Sequence, residues 1–304
     1  MESVHLQDRE LPKGIIDNRD VPDASFDHLW DAVIVDQGLK DRILSQALLN
    51  FTLRPKVDRA VVPLHGIIVL VGPPGTGKTS LARGLASRVA KVIGGKSGMQ
   101  YLEVEPHGLA SSSLGNSQKA VRQLLGSVVA ERAAQGPLVV LLDEVETLAA
   151  DRKKMSLEAN PVDVHRATDA VLAQLDQLAV DHPGLLFIAT SNFTGAIDDA
   201  FLSRADLVVT VGLPSEEACE QILRSTITGL ATNYPKLNAL AKDSKLQQAA
   251  KLCVGLDGRR IRKVVISALA SSKEIALDPT KLNIEALLGA IKEAQVELKA
   301  SSKP

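Results

Sequence analysis

Four short stretches of uninterrupted aliphatic residues stand out in a chain otherwise patterned at helical spacing. Ile67-Ile68-Val69-Leu70-Val71 is the first, and Gly72-Pro73-Pro74-Gly75 closes it. A run without polar alternation is the pattern of a parallel strand covered on both faces. Leu138 to Leu142 repeats it and ends in Asp143-Glu144, Leu185 to Thr190 ends in Ser191-Asn192, and Leu207 to Val211 is the fourth. Helical patterns separate them, notably Val121 to Arg132 and Val164 to Leu178. Alternating strand and helix forces an α/β fold with a doubly wound parallel sheet, in which polar groups at the carboxyl ends of the strands converge on one crevice.

Upstream, Ile43, Ala47, Leu48 and Phe51 continue a helical spacing that starts at Trp30 and ends before Arg54-Pro55. Beyond Gly212-Leu213-Pro214-Ser215 the strands stop. Helical patterns follow at Glu216 to Thr228, Lys245 to Val254, Arg259 to Ala270 and Ile284 to Leu298. The chain therefore reads as an arm (1–25), a large α/β domain (26–212) and a small all-helical domain (213–304). No internal repeat is present.

Composition narrows the function classes. Lys and Arg total 35 against 36 Asp and Glu, whereas binding driven by counterion release from phosphates calls for a basic excess. Aromatics make up only 3%, too few for base-stacking platforms. Cys219 and Cys253 are far apart and each alone, so neither a disulfide framework nor a metal knuckle is expected. Residues 1–10 lack the basic start and apolar stretch of a signal peptide. The most apolar stretch, Val61 to Val71, is far shorter than the ~20 residues a bilayer requires. A cytoplasmic protein in a reducing compartment is expected, with no membrane or nucleic-acid partner.

Gly72-Pro73-Pro74-Gly75-Thr76-Gly77-Lys78-Thr79 matches the P-loop pattern in full, directly after a strand and opening a helix at Ser80. Gly72, Gly75 and Gly77 free the backbone so that successive N–H groups can point at a phosphate, and the helix N-terminus adds partial positive charge. Lys78 is expected to reach the outer phosphates of ATP, and the Thr79 hydroxyl to ligate Mg²⁺. Asp143 is expected to hold the Mg²⁺ through water, Glu144 to polarise the attacking water, and Asn192 to contact that water or the γ-phosphate. Glu146 stays open between a solvated role and a functional one.

This order of motifs, continued by Ser203-Arg204-Ala205-Asp206 and by Gly258-Arg259 ahead of a helix, resembles the AAA+ ATPases from about Phe26 onward. Leu29-Trp30, Asp143 to Leu148, Asp169 to Leu178, Ala189 to Asn192 and Ala200 to Asp206 look like the pachytene-checkpoint branch, whose members remodel HORMA-domain proteins. The resemblance implies a P-loop domain followed by a helical lid domain, assembled as a homo-hexamer with ATP between subunits and substrate at a central pore. Arg204 falls where the family places the arginine finger. Arg259 matches the sensor arginine, with Arg260 as the competing residue. Val33, Ile34 and Val35 match the region that packs on adenine. The pore loop falls on Ser113-Leu114-Gly115, with Leu114 where an aromatic is usual, and Arg152 to Pro161 is a candidate second loop.

Eukaryotic members carry a sizeable N-terminal recognition domain, whereas roughly 25 residues precede the matching region here, too few to bury a core. The short chain looks like bacterial members linked to anti-phage cyclic-nucleotide signalling. The implied function is ATP-driven remodelling of a HORMA-domain partner, with a signalling nucleotidyltransferase as a possible further component. The alternatives are an AAA+ loader acting on DNA and a nucleotide-gated adaptor without turnover.

Overall fold

The computed structural model describes residues 11–95, 98–105, 116–149 and 161–301. Six strands form one sheet: β1 (Ile15–Val21), β2 (Ile67–Val71), β3 (Met99–Val104), β4 (Leu138–Leu142), β5 (Leu185–Ser191) and β6 (Leu207–Thr210), in the order β1-β3-β4-β5-β2-β6. The five strands from β3 to β6 run parallel. β1 adds to the edge antiparallel, pairing Val21 with Met99. The four aliphatic runs are β2, β4, β5 and β6. Every residue of β2, β4 and β5 is buried, which is why those stretches carry no polar alternation.

Two strands have no such signature. β1, Ile15-Ile16-Asp17-Asn18-Arg19-Asp20-Val21, lies inside the stretch read as an arm and buries only its ends fully. β3 contains Glu103, which is 1% exposed yet paired: Arg83 donates to both its oxygens at 2.9 and 2.6 Å, and the Tyr101 hydroxyl at 2.7 Å. Burial, with Glu103 adjacent, raises the Tyr101 pKa and keeps that hydroxyl a donor.

The helical stretch expected from Trp30 to Phe51 is two helices, α1 (Ala24–Ala32) and α2 (Gln37–Leu53), parted at Val33–Asp36. α3 (Lys78–Ile93) follows β2 and packs on α1 so closely that a Cβ on Gly84 would fall 2.6 Å from that of Trp30. Between β3 and β4, α4 (Asn116–Gln123) passes through a π-helical turn, Leu124–Val129, into α5 (Ala130–Ala133). α6 (Pro161–Asp181) joins β4 to β5, and α7 (Asp199–Leu202) precedes β6. An aliphatic core centred on Val69, Val140, Leu142, Phe187 and Leu175 fills the space between sheet and helices.

The remaining helices are α8 (Glu216–Ala231), α9 (Asn238–Ala241), α10 (Leu246–Cys253), α11 (Gly258–Leu269), α12 (Lys273–Leu277) and α13 (Ile284–Ser301). The chain divides into two compact units: Met1–Ala32, Gln37–Val71 and Lys78–Thr210 in one, and Val33–Asp36, Gly72–Gly77 and Val211–Pro304 in the other. The second has its own core, including Leu223, Leu246, Cys253, Val265 and Leu287. Among the described residues no helix is long and apolar enough to cross a membrane.

Candidate active site

In the first unit the ends of β4 and β5 and the start of α3 bring five of the expected residues together. Lys78, the first residue of α3, is 7% exposed, and its Nζ donates to Asn192 Oδ1 at 3.0 Å. The Asn192 Nδ2 donates in turn to Glu144 Oε1 at 3.4 Å. Thr79 Oγ1 donates to Asp143 Oδ1 at 2.9 Å. Thr190, one residue before the end of β5, donates its hydroxyl to the same Asp143 oxygen and accepts the Glu144 backbone N–H at 3.1 Å.

Glu144 has a backbone φ of 53°, the one left-handed non-glycine residue among those described. Such a dihedral costs energy for a residue with a side chain and is kept where the surroundings over-determine it. Here the Thr190 hydroxyl holds its N–H, and Val145, fully buried, anchors the next turn. The Glu144 side chain is thereby left exposed beside Asn192. Glu146, whose Oε1 accepts the Asn192 backbone N–H at 3.1 Å, stays open in the sequence between a solvated and a functional role, and Thr190 is the member that strand and motif reading leaves without a role. Thr190 belongs to the Thr-Ser-Asn triplet, so its place was visible; its partners were not.

In the second unit the glycine-rich turn Gly72–Gly77 packs tightly. Gly75 has φ +82° and Gly77 φ +93°, dihedrals that residues bearing a Cβ rarely adopt. A Cβ on Gly75 would fall 2.2 Å from Asp257 Oδ1, and one on Gly77 3.0 Å from the Val33 side chain. Thr76 donates its hydroxyl to Pro73 O at 2.9 Å, while Pro73 and Pro74 are exposed. Asp257 caps α11 by accepting the Arg260 N–H at 2.9 Å and also pairs with the Arg260 side chain at 3.4 Å. The Arg259 backbone N–H donates to Gly75 O at 3.3 Å, and its side chain is exposed. Ile34 packs against this unit's core, and Val35 is half-buried.

Arg204 is not in the Lys78 cluster. Its guanidinium grips Asp176 of α6 through two hydrogen bonds of 2.8 and 2.7 Å and also donates to Ala200 O. Those bonds hold the Asp176 carboxyl below the usual range and raise the Arg204 pKa further. With Arg59, His65, Gln177 and Ser203 the pair lines an open cavity of about 590 Å³. Burial, with Arg59 nearby, lowers the His65 pKa and favours its neutral form. Asp206 has a structural part: its carboxylate accepts the N–H groups of His65, Gly66 and Ile67 at 2.7–3.0 Å, aligning the start of β6 with β2. Ser113, Leu114 and Gly115, and residues 152–160 of the second loop, lie outside the described residues.

The donor set at Thr79 and Asp143 consists of hard oxygens on facing side chains, which suits Mg²⁺ completed by water and phosphate oxygens. No group of three or more His, Cys, Asp or Glu among the described residues offers an alternative metal site. A glycine-rich turn after a parallel strand, a buried lysine at a helix start and two acidic residues at the end of another strand of the same sheet define a P-loop nucleotide-binding protein. Residues 68–213 match the model of the ATPase family associated with various cellular activities (AAA). The chain is 57% identical to CD-NTase-associated protein 6 of Pseudomonas aeruginosa over 95% of this chain and 94% of that protein. It is 35% identical to the pachytene checkpoint protein 2 homolog of Oryza sativa subsp. indica, over 92% of this chain but 66% of that one. An E. coli MS115-1 HORMA:CdnC:Trip13 complex contains a chain with the same fold, with a TM-score of 0.75 at 16% identity over 92% of this chain and 95% of that one. The chain belongs to the AAA ATPases, in the branch of the pachytene checkpoint protein 2 homologs.

Proposed function

We propose that the protein hydrolyses ATP and uses the cycle to remodel a HORMA-domain partner, regulating bacterial anti-phage cyclic-nucleotide signalling. The observation that carries the hydrolysis reading is the hydrogen-bonded chain Lys78–Asn192–Glu144 beside the facing pair Thr79–Asp143. Lys78 supplies positive charge to the outer phosphates, and the N–H groups opening α3 add their partial charge. Glu144 accepts a proton from the attacking water, and Asn192, touching both Lys78 and Glu144, fixes where that water stands. Thr79 and Asp143 would hold Mg²⁺, which when bound neutralises phosphate charge.

We further propose a ring of six subunits in which Arg204, parked on Asp176 within one chain, acts on the neighbour's γ-phosphate. Arg259, whose backbone already holds the glycine-rich turn, is the sensor arginine in preference to Arg260, which Asp257 engages. The partner assignment is supported by the identity to a CD-NTase-associated protein and by the fold shared with a chain solved in a HORMA:CdnC:Trip13 complex. The test is phosphate release from ATP with and without a peptide-bound HORMA-domain protein. Turnover should rise on its addition. Stimulation by DNA, with the HORMA protein inert, would install the loader reading instead.

A further inference from the structure

Glu146 lies in the single 3₁₀ turn Val145–Thr147 that follows the left-handed Glu144. A glutamate on a solvated turn would turn its carboxylate to water. This one does not: Oε1 accepts the backbone N–H of Asn192, 46 residues along the chain, and Oε2 is buried with no hydrogen-bond partner among the described residues. Burying an unpaired carboxylate oxygen costs free energy, so the side chain is held in place against that cost.

The segment that Glu146 grips is fixed a second time. Ser191 Oγ accepts the Phe193 N–H at 3.2 Å and donates to Phe193 O at 3.0 Å, closing a small loop around Asn192. Glu146 and Ser191 together fix the backbone on both sides of the Asn192 Cα, from which Nδ2 and Oδ1 reach Glu144 and Lys78. The turn bearing Glu146 is itself pinned by buried Val145 and Leu148 and by the Asp198 N–H on Ala149 O at 2.8 Å.

We infer that Glu146 is a positioning residue of the hydrolytic site: it acts by fixing the Asn192 backbone so that the amide bridges Lys78 and Glu144. The inference rests on the hydrolysis reading and adds to it a residue through which β4 and β5 set the catalytic geometry jointly. Because it works through one accepted N–H, an acceptor is needed at this place and a negative charge is not.

The experiment compares E146A, E146Q and N192A with the double variant E146A/N192A in the full-length protein. E146A should lower kcat by about 10–10²-fold, the range for a misplaced catalytic group, with KM for ATP within about threefold of wild type. E146Q keeps a carbonyl acceptor and should recover most of the loss. E146A should add nothing in the N192A background, since a residue acting only through Asn192 has nothing left to act on. Should E146A fail to accumulate, E146M, similar in length but without an acceptor, takes its place. Hydrogen exchange at the Asn192 amide reads the same contact without turnover: protection should fall in E146A and persist in E146Q. A wild-type chain without turnover would remove the hydrolysis reading and leave the exchange result standing. Equal loss in E146A and E146Q, penalties that multiply in the double variant, or an Asn192 amide equally protected in E146A would overturn the positioning role.

Discussion

The Lys78 ammonium and the Asn192 carboxamide meet at 3.0 Å across 114 positions of sequence, and that hydrogen bond ties the helix after β2 to the end of β5. β2 and β5 are parallel neighbours, with Val71 opposite Ser191, so the register of two aliphatic strands delivers both groups to one place. A lysine 7% exposed must be compensated by acceptors, and the Asn192 amide oxygen is one of them.

Lys78 and Glu144 should therefore separate binding from chemistry. K78A is expected to lose ATP binding. E144Q should retain it while turnover falls by about 10²–10⁴-fold, the contribution of a general base. Fluorescent ATP-analogue binding and phosphate release, measured on the same preparations, check both; E144Q with more than about a tenth of wild-type turnover would contradict the base assignment.

Arg204 should act between subunits. Within the chain it is satisfied by Asp176, so R204A is expected to leave nucleotide binding near normal and to cut hydrolysis by roughly 10³-fold or more, the range for an arginine finger. Mixing R204A with E144Q creates interfaces that combine an intact Glu144 with a neighbour's intact Arg204, and activity should partly return. A co-assembled mixture without recovery would place Arg204 in a role confined to its own chain.

The two thiols should be silent in the native protein. Cys219 and Cys253 are both fully buried in the helical unit, and burial pushes their pKa values up to about 11 and about 12. Desolvation penalises the thiolate, the reactive form, so both thiols stay almost wholly protonated between pH 7 and 9 and the folded chain should label far more slowly than the unfolded chain at either pH. Labelling with an aromatic disulfide reagent should be slow until denaturant is added, then count two thiols. Rapid native labelling of either would contradict the burial.

What could be read from the sequence follows from burial symmetry. β2, β4 and β5 are covered on both faces and announce themselves as aliphatic runs; the P-loop is contiguous, and Asp143-Glu144 sits at a strand end where the motif requires it. β3 hides because Glu103 belongs in the core only by virtue of Arg83 and Tyr101, and β1 because its central residues stay partly in water. The π-helical turn at Leu124–Val129 leaves no mark on an apolar periodicity that runs straight through it. Glu146 was undecidable for a similar reason, since its partner is a backbone N–H, which has no letter in the sequence. Asp176 is likewise an ordinary helical acid until Arg204 is seen against it.

The central claim, that ATP turnover at Lys78 and Glu144 remodels a HORMA-domain partner, is tested most directly by gel filtration of a preformed HORMA–client complex after incubation with the protein and ATP. The wild type should separate the complex into its components, and E144Q, which binds ATP without turning it over, should leave it intact. Survival of the complex with a wild-type preparation that hydrolyses ATP, or equal separation by E144Q, would contradict it.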